Sequence, residues 1–256
     1  MDRLEAALSE NVRKTVRMIL NLLLIAAIAL LVSQEVKAII VWHFSREAVQ
    51  ENQALFALPR PLLDLSLPQV RETTTMTLSG CSLDVPWTGG KQKTPELIYF
   101  PNGSGILFFD PAKEPDAAAL YRQADNRSAM THILGAATIR SNYDLTAAEV
   151  NANPADVTLL TTLPKIARLD MLLTFKAGFV SDQTGPVIYA VAMNRVHGFQ
   201  AGDPKLHPKR VGLEMFDPKD RPFHVLIFPA KDAAQPVTQP EINSMIHSMR
   251  CDDAVH

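Results

Sequence analysis

The sequence has no surplus of charge to spend on a polyanion. Its 25 lysines and arginines stand against 27 aspartates and glutamates, a net charge of −2 and a pI near 6.4. So balanced a chain has no bulk electrostatic reason to seek nucleic acid, whose phosphates select basic patches. Short-range metal signals are missing too. The seven histidines, His43, His132, His197, His207, His224, His247 and His256, form no His-x-His or His-x-x-x-His pair. Neither cysteine has a second one nearby, so the ligand spacings of a metal site are absent. Gly89-Gly90-Lys91 lacks the P-loop pattern and reads as a turn with a solvated lysine. Gly103-Ser104-Gly105 is no nucleophile elbow, because that motif needs Gly-x-Ser-x-Gly at a strand-to-helix step. There is no internal repeat and no low-complexity tract. Neither a metal nor a cofactor is expected.

One long apolar run is present, over residues 18–32, behind Arg13, Lys14 and Arg17 and ahead of Ser33-Gln34-Glu35. A spanning helix needs about 20 apolar residues. Val36 and Ala38 to Trp42 make up the shortfall, with Glu35 and Lys37 long enough to reach headgroups. The expectation is an uncleaved transmembrane helix and its extension over 18–42. Two other readings exist: a signal peptide cleaved near Val36-Lys37-Ala38, and a buried helix of a soluble protein. Arg3, Arg13, Lys14 and Arg17 precede the run, and only Lys37 and Arg46 follow it closely. That asymmetry predicts a single-pass protein of the bacterial inner membrane, amino terminus (1–17) in the cytoplasm and the rest periplasmic or extracellular.

Beyond the anchor, residues 43–72 read as a helical stalk ended by Pro59 and Pro61 and a proline-containing linker, and residues 73–256 as one extracytoplasmic domain. Cys81 and Cys251 bracket that domain. Outside the cytoplasm they pair as a disulfide; in a reduced compartment they would be two buried thiols.

Within the domain, β-branched residues over 73–83 predict a strand, ended by Val85-Pro86-Trp87. Apolar runs either side of Asn102-Gly103-Ser104-Gly105 predict a hairpin over 96–110. The middle third carries helical spacing over 115–124 and 129–140, a short helix after Ser141, and a longer one from Pro164 to about Gly178. Strands return over 186–193, 211–216 and 222–228, the last two joined by a turn at 217–220. Thr238 and Glu241 have capping-box spacing and open a final helix buried through Ile242, Met245, Ile246 and Met249. The expected fold class is α+β: an antiparallel sheet packed by helices.

Asn142-Tyr143, the stretch from Leu163-Pro164 to Lys176-Ala177, and Gly198-Phe199-Gln200-Ala201-Gly202-Asp203-Pro204 resemble a group of uncharacterised bacterial proteins with one amino-terminal membrane helix. That resemblance implies a shared fold and no activity. The element order is also similar to the Mog1/PsbP-like α+β fold, whose members mostly bind partners or assist assembly.

The stretch 197–204 is the most distinctive candidate site. Its glycines allow close backbone approach, Phe199 could anchor a partner, and His197, Phe199, Gln200 and Asp203 are the candidate binding residues. Asp203 with His197 or His207 could form an acid/base pair. The plainer reading is a strand-to-strand loop with Phe199 plugging the core. Lys205, Lys209 and Arg210 make it basic. The function expected is a membrane-anchored binding, scaffold or assembly subunit, touching lipid through its anchor and a protein partner or its own copy through its domain, with no nucleic acid. The alternative is an envelope-acting hydrolase with a site near 197–204.

Overall fold

In a computed structural model of the chain, residues 57–69, 72–114, 116, 119, 139–151, 176, 185–206, 210–228 and 237–252 are described, together with Asn21, Leu24 and Ile25. In chain order the elements are β1 (Pro59–Pro61), β2 (Thr74–Leu78), β3 (Cys81–Val85), β4 (Lys91–Thr94), β5 (Leu97–Tyr99) and β6 (Gly105–Phe108). There follow α1 (Asn142–Asn151), β7 (Ile188–Met193), β8 (Val196–Ala201), a 3₁₀ turn (Pro204–Leu206), β9 (Val211–Phe216), β10 (Pro222–Phe228), α2 (Gln239–Ser248) and β11 (Arg250–Cys251).

Eight strands form one sheet in the order β1-β7-β8-β9-β10-β6-β5-β4, and three form a second in the order β11-β3-β2. Every pairing is antiparallel except that of β1 with β7. Successive side chains of a strand point to opposite faces, and that alternation sorts the large sheet. Val191, Met193, Leu213, Met215, Phe223, Val225 and Ile227 join Leu83, Val85, Ile242, Met245 and Ile246 in the main core, where α2 packs on β3 and β7. Ile188, Ala190 and Phe199 lie on the other face against Tyr143, Ala147 and Val150 of α1. The large sheet is therefore a central layer.

Caps fix both helices. Thr238 Oγ1 accepts from the Glu241 N–H while the Glu241 carboxylate accepts from the Thr238 N–H at 2.8 Å, closing the box. Glu241 also accepts from the Trp87 indole at 2.8 Å, tying α2 to the end of β3. Helix α1 is capped from a distance. Asp220, at φ 62° in the β9–β10 turn, accepts N–H bonds from Asn142 (2.5 Å) and Tyr143 (3.0 Å), a carboxylate placed at a helix N-terminus where its charge is favoured.

The anticipated disulfide is present: Cys81 and Cys251 are bonded across directly paired positions of β3 and β11. The hairpin at β5–β6 falls where apolar runs around a turn placed it, and β9 and β10 match the strands expected over 211–216 and 222–228. Other expectations are corrected. The stretch 73–83 is no single strand: Ser79 (φ 48°) and Gly80 (φ 76°) both adopt left-handed backbone, which turns the chain back as β2–β3. The expected linker at Pro59-Arg60-Pro61 is an edge strand. The α+β class gives way, among the described residues, to a β-rich architecture of eleven strands in two sheets, with α1 and α2 as ten-residue helices. The helices expected over 115–124, 129–140 and 164–178 lie, but for a few residues, outside the described residues.

The anchor is corrected as well. Among the described residues no helix is long and apolar enough to cross a membrane, so the transmembrane helix and the inner-membrane, amino-terminus-in placement built on it are not carried further. Of 18–42 only Asn21, Leu24 and Ile25 are described, helical and exposed; the remainder, and most of the expected stalk, lie outside the described residues.

Two outcomes follow from this architecture. Gly198 lies so close to β9 that an added Cβ would overlap the Glu214 carbonyl and come within 2.7 Å of Met215 Cα. Gly198→Ala should lower the unfolding free energy by about 3 kcal/mol or more. Gly80→Ala, strained only by its φ of +76° in open space, should cost about 1 kcal/mol. Equal urea midpoints for the two variants would contradict this packing. Reduction of the disulfide, which closes a separation of 170 residues, should cost about 2–5 kcal/mol. The Cys81→Ser/Cys251→Ser variant should then melt with the reduced wild type, and a midpoint indifferent to reductant would rule out the staple.

Candidate binding cleft at the sheet edge

Where β1 joins β7, a cleft of about 270 Å³ opens between Arg60, Pro61, Leu62, Leu63, Asp64, Tyr189, Asp203, Lys205 and Gln239. Proline locks φ and has no N–H to offer, so Pro59 and Pro61 make β1 a strand that pairs inward and resists further pairing outward. Arg60 sits opposite Tyr189 in that pairing. Its guanidinium donates to the Tyr189 hydroxyl at 3.2 Å and lies 5.0 Å from the ring centroid, a cation–π arrangement.

The Tyr189 hydroxyl donates in turn to Asp203 Oδ2 at 2.5 Å. Asp203 is held by its own turn: Oδ1 accepts the Lys205 N–H at 2.8 Å, and Gly202, at φ 95°, donates to the Val187 carbonyl at 2.9 Å. Partial burial, then the hydrogen bond to the Asp203 carboxylate, push the Tyr189 phenol above its ordinary pKa against the opposing pull of Arg60. Asp64 moves the other way. Hydrogen bonds from the Ser66 hydroxyl and N–H, helped by the Lys205 charge, hold it below the usual carboxylate range.

Beneath the cleft runs a chain of buried amides. Gln200 Nε2 donates to the Gly202 carbonyl and to Gln239 Oε1, both at 2.9 Å. Gln239 Nε2 donates to Gln200 Oε1 at 2.9 Å and Asn243 Oδ1 at 3.0 Å. Asn243 Nδ2 donates to the carbonyls of Asp64 (2.8 Å) and Ser66 (2.9 Å). All six amide hydrogens are used. The floor is rigid and satisfied, and the polar groups with capacity left are those above it.

The structure divides the residues singled out at 197–204. The stretch is no loop: β8 runs to Ala201 and only then turns. Asp203 lines the cleft and Gln200 lies under it, fully buried. Phe199 is 2% exposed and stacks at 5.7 Å on Tyr143, on the α1 face. His197 meets the same ring edge-on at 4.4 Å. Pairing His197 with Asp203 as acid and base is therefore not realised, because the two serve opposite faces of the sheet. His207 and Lys209 lie outside the described residues. Ser104 is 1% exposed, closed to any substrate. Sequence reasoning missed Arg60, Tyr189 and Gln239; an arginine held between two prolines was the one available signal for the first.

A second group of ionisable side chains lies on the α1 face. Thr146 donates to Glu214 Oε1 at 3.0 Å, and His224 sits between Glu214 (3.3 Å) and Glu114 (3.5 Å). Burial pulls the His224 pKa down, but the hydrogen bond and charge of Glu214, with those of Glu114, outweigh it and leave it raised. Burial, with Glu214 adding to it, pushes Glu149 up to about 7. Among the described residues no three of these side chains could hold a metal ion.

No protein-family model, curated protein or solved structure matches the chain.

The Glu149 shift sets a pH dependence. A carboxyl raised from 4.5 to about 7 in the folded state contributes stability that is complete below its unfolded value and is lost as pH rises through 7. Glu149→Gln should flatten the stability profile between those values and be more stable than wild type above them, by on the order of 2 kcal/mol. His224 acts in the same direction from 6.5 upward, so the acidic part of the slope isolates Glu149. Denaturant titrations across that range decide it, and an unaltered slope would remove Glu149 from the account.

Proposed function

We propose that the domain works by binding, as a scaffold or accessory subunit of a larger assembly, and receives a protein partner at the cleft between β1, β7 and α2. The observation that carries this reading is the closed Gln200–Gln239–Asn243 floor beneath side chains that hold charge and apolar surface outward. A preformed concave site with a few oriented polar groups is the usual form of a recognition site. Leu63, 90% exposed at its rim, adds an apolar contact without local cover from the described residues. The separation of His197 from Asp203 removes one of the two acid/base pairs on which a hydrolase reading would rest; His207, the partner in the other, lies outside the described residues.

The reading is tested by gentle extraction of the tagged full-length chain from its native source, followed by sizing and mass spectrometry. Wild type should bring down a companion at fixed stoichiometry. Leu63→Glu should lose it, while Thr94→Glu, on the exposed far-edge strand β4, should keep it. Migration of the wild-type chain by itself, or equal capture by both variants, would overturn the cleft as the contact.

A further inference from the structure

We propose that the cleft recognises an oxyanion, a carboxylate or equivalent group, carried on a short apolar arm. This rests on the cleft being a binding site and adds what it binds. Four charged side chains line the cleft: Arg60, Lys205, Asp64 and Asp203. Both carboxylates are already committed to local donors. Asp203 takes the Tyr189 hydroxyl on one oxygen and the Lys205 N–H on the other. Asp64 takes the hydroxyl and N–H of Ser66.

The cations are not so committed. Among the described residues, the Arg60 guanidinium bonds one neutral partner, the Tyr189 hydroxyl, and the Lys205 ammonium, whose charge acts on Asp64, comes within ion-pair distance of no carboxylate. A guanidinium has five N–H donors in a planar fork that fits a carboxylate or phosphate in bidentate fashion. Its place over the Tyr189 ring and its bond to the Tyr189 hydroxyl hold the side chain at the cleft in advance, which lessens the ordering cost of using it. Pro61, Leu62 and Leu63 supply an apolar wall beside the cations. At about 270 Å³ the space lies near the lower end of small-molecule sites, which suits an anionic head with a few carbons.

One chemistry could reach the cleft from two sources: a free small carboxylate, or the carboxy-terminal group of a partner chain behind an apolar residue. The experiment separates them. Full-length protein is titrated calorimetrically with hexanoate and hexanamide, and with acetyl-Ala-Ala-Leu as free acid and as amide. At least one acid should bind about tenfold or more tighter than its amide. Arg60→Gln and Lys205→Gln should each weaken the acid about fivefold or more and leave the amide unchanged. A tighter hexanoate assigns a free ligand, and a tighter peptide acid assigns a chain terminus; either supports the inference. Amides binding as well as acids would overturn it while leaving the cleft a binding site. No binding of any probe would also overturn it, and the companion seen or not seen in the extraction experiment then judges the binding reading separately.

Discussion

The buried amide chain from Gln200 through Gln239 to Asn243 is the constraint on which the cleft and its surroundings depend. An amide taken out of water without partners costs about 1–3 kcal/mol for each group left unmade. Three of them can lie in the interior only because each meets another in register. Gln200 belongs to the middle of the large sheet, Gln239 and Asn243 to successive turns of α2, and the final acceptors are the carbonyls of Asp64 and Ser66. One network thereby fixes the distance between sheet and helix and holds the segment after β1 against both. Shifting α2 by one residue would strand all three amides, so the network selects a single register where a purely apolar contact would tolerate several. Apolar burial supplies the attraction; the amides decide the alignment.

That division explains which parts of the molecule were legible in the sequence. β9, β10 and the β5–β6 hairpin have one face in the core and one less buried, and a period of two shows it. The capping box before α2 is a local signal and reads directly. β8 does not. Five of its six residues are buried, so Val196-His197-Gly198-Phe199-Gln200-Ala201 has no alternation to display, and its glycine and polar residues suggested a loop. β4, Lys-Gln-Lys-Thr, is exposed throughout. It is a strand because it closes an edge, where lysines discourage further pairing, and no pattern in four polar residues could reveal that. β1 carries two prolines, which argue against a strand everywhere except at an edge.

The cleft was less legible than the fold because it is made by distant pairings. Arg60 and Tyr189 are 129 residues apart and meet only through the parallel register of β1 on β7. Asp203 was found because its turn is local, and Gln200 because it stood in the same stretch. Phe199 and His197 were grouped with them by proximity in sequence, which in a strand is misleading: neighbours point to opposite faces. The strand conformation of β8 thus splits one apparent motif into a cleft pair and a packing pair.

The same alternation gives the two faces of the sheet different work. Toward α2 the charged groups are few, placed at the rim, and sit over hydrogen bonds that no change of protonation near neutrality disturbs. Toward α1 the sheet presents Glu214 and His224 to Glu149 and Glu114, and the raised values of Glu149 and His224 make that packing sensitive to protons. Helix α1 is also held by Asp220 of the β9–β10 turn, while Phe216 at the end of β9 packs on Tyr143, so its docking is coupled to the strands that carry the acidic cluster. β8 and β9 are common to both faces, and at Gly198 their backbones lie too close together to admit a Cβ. Gln200 has its partners on the α2 side, while Glu149 and Glu214 meet on the α1 side, so the same two strands carry an uncharged amide network on one face and a titrating cluster on the other.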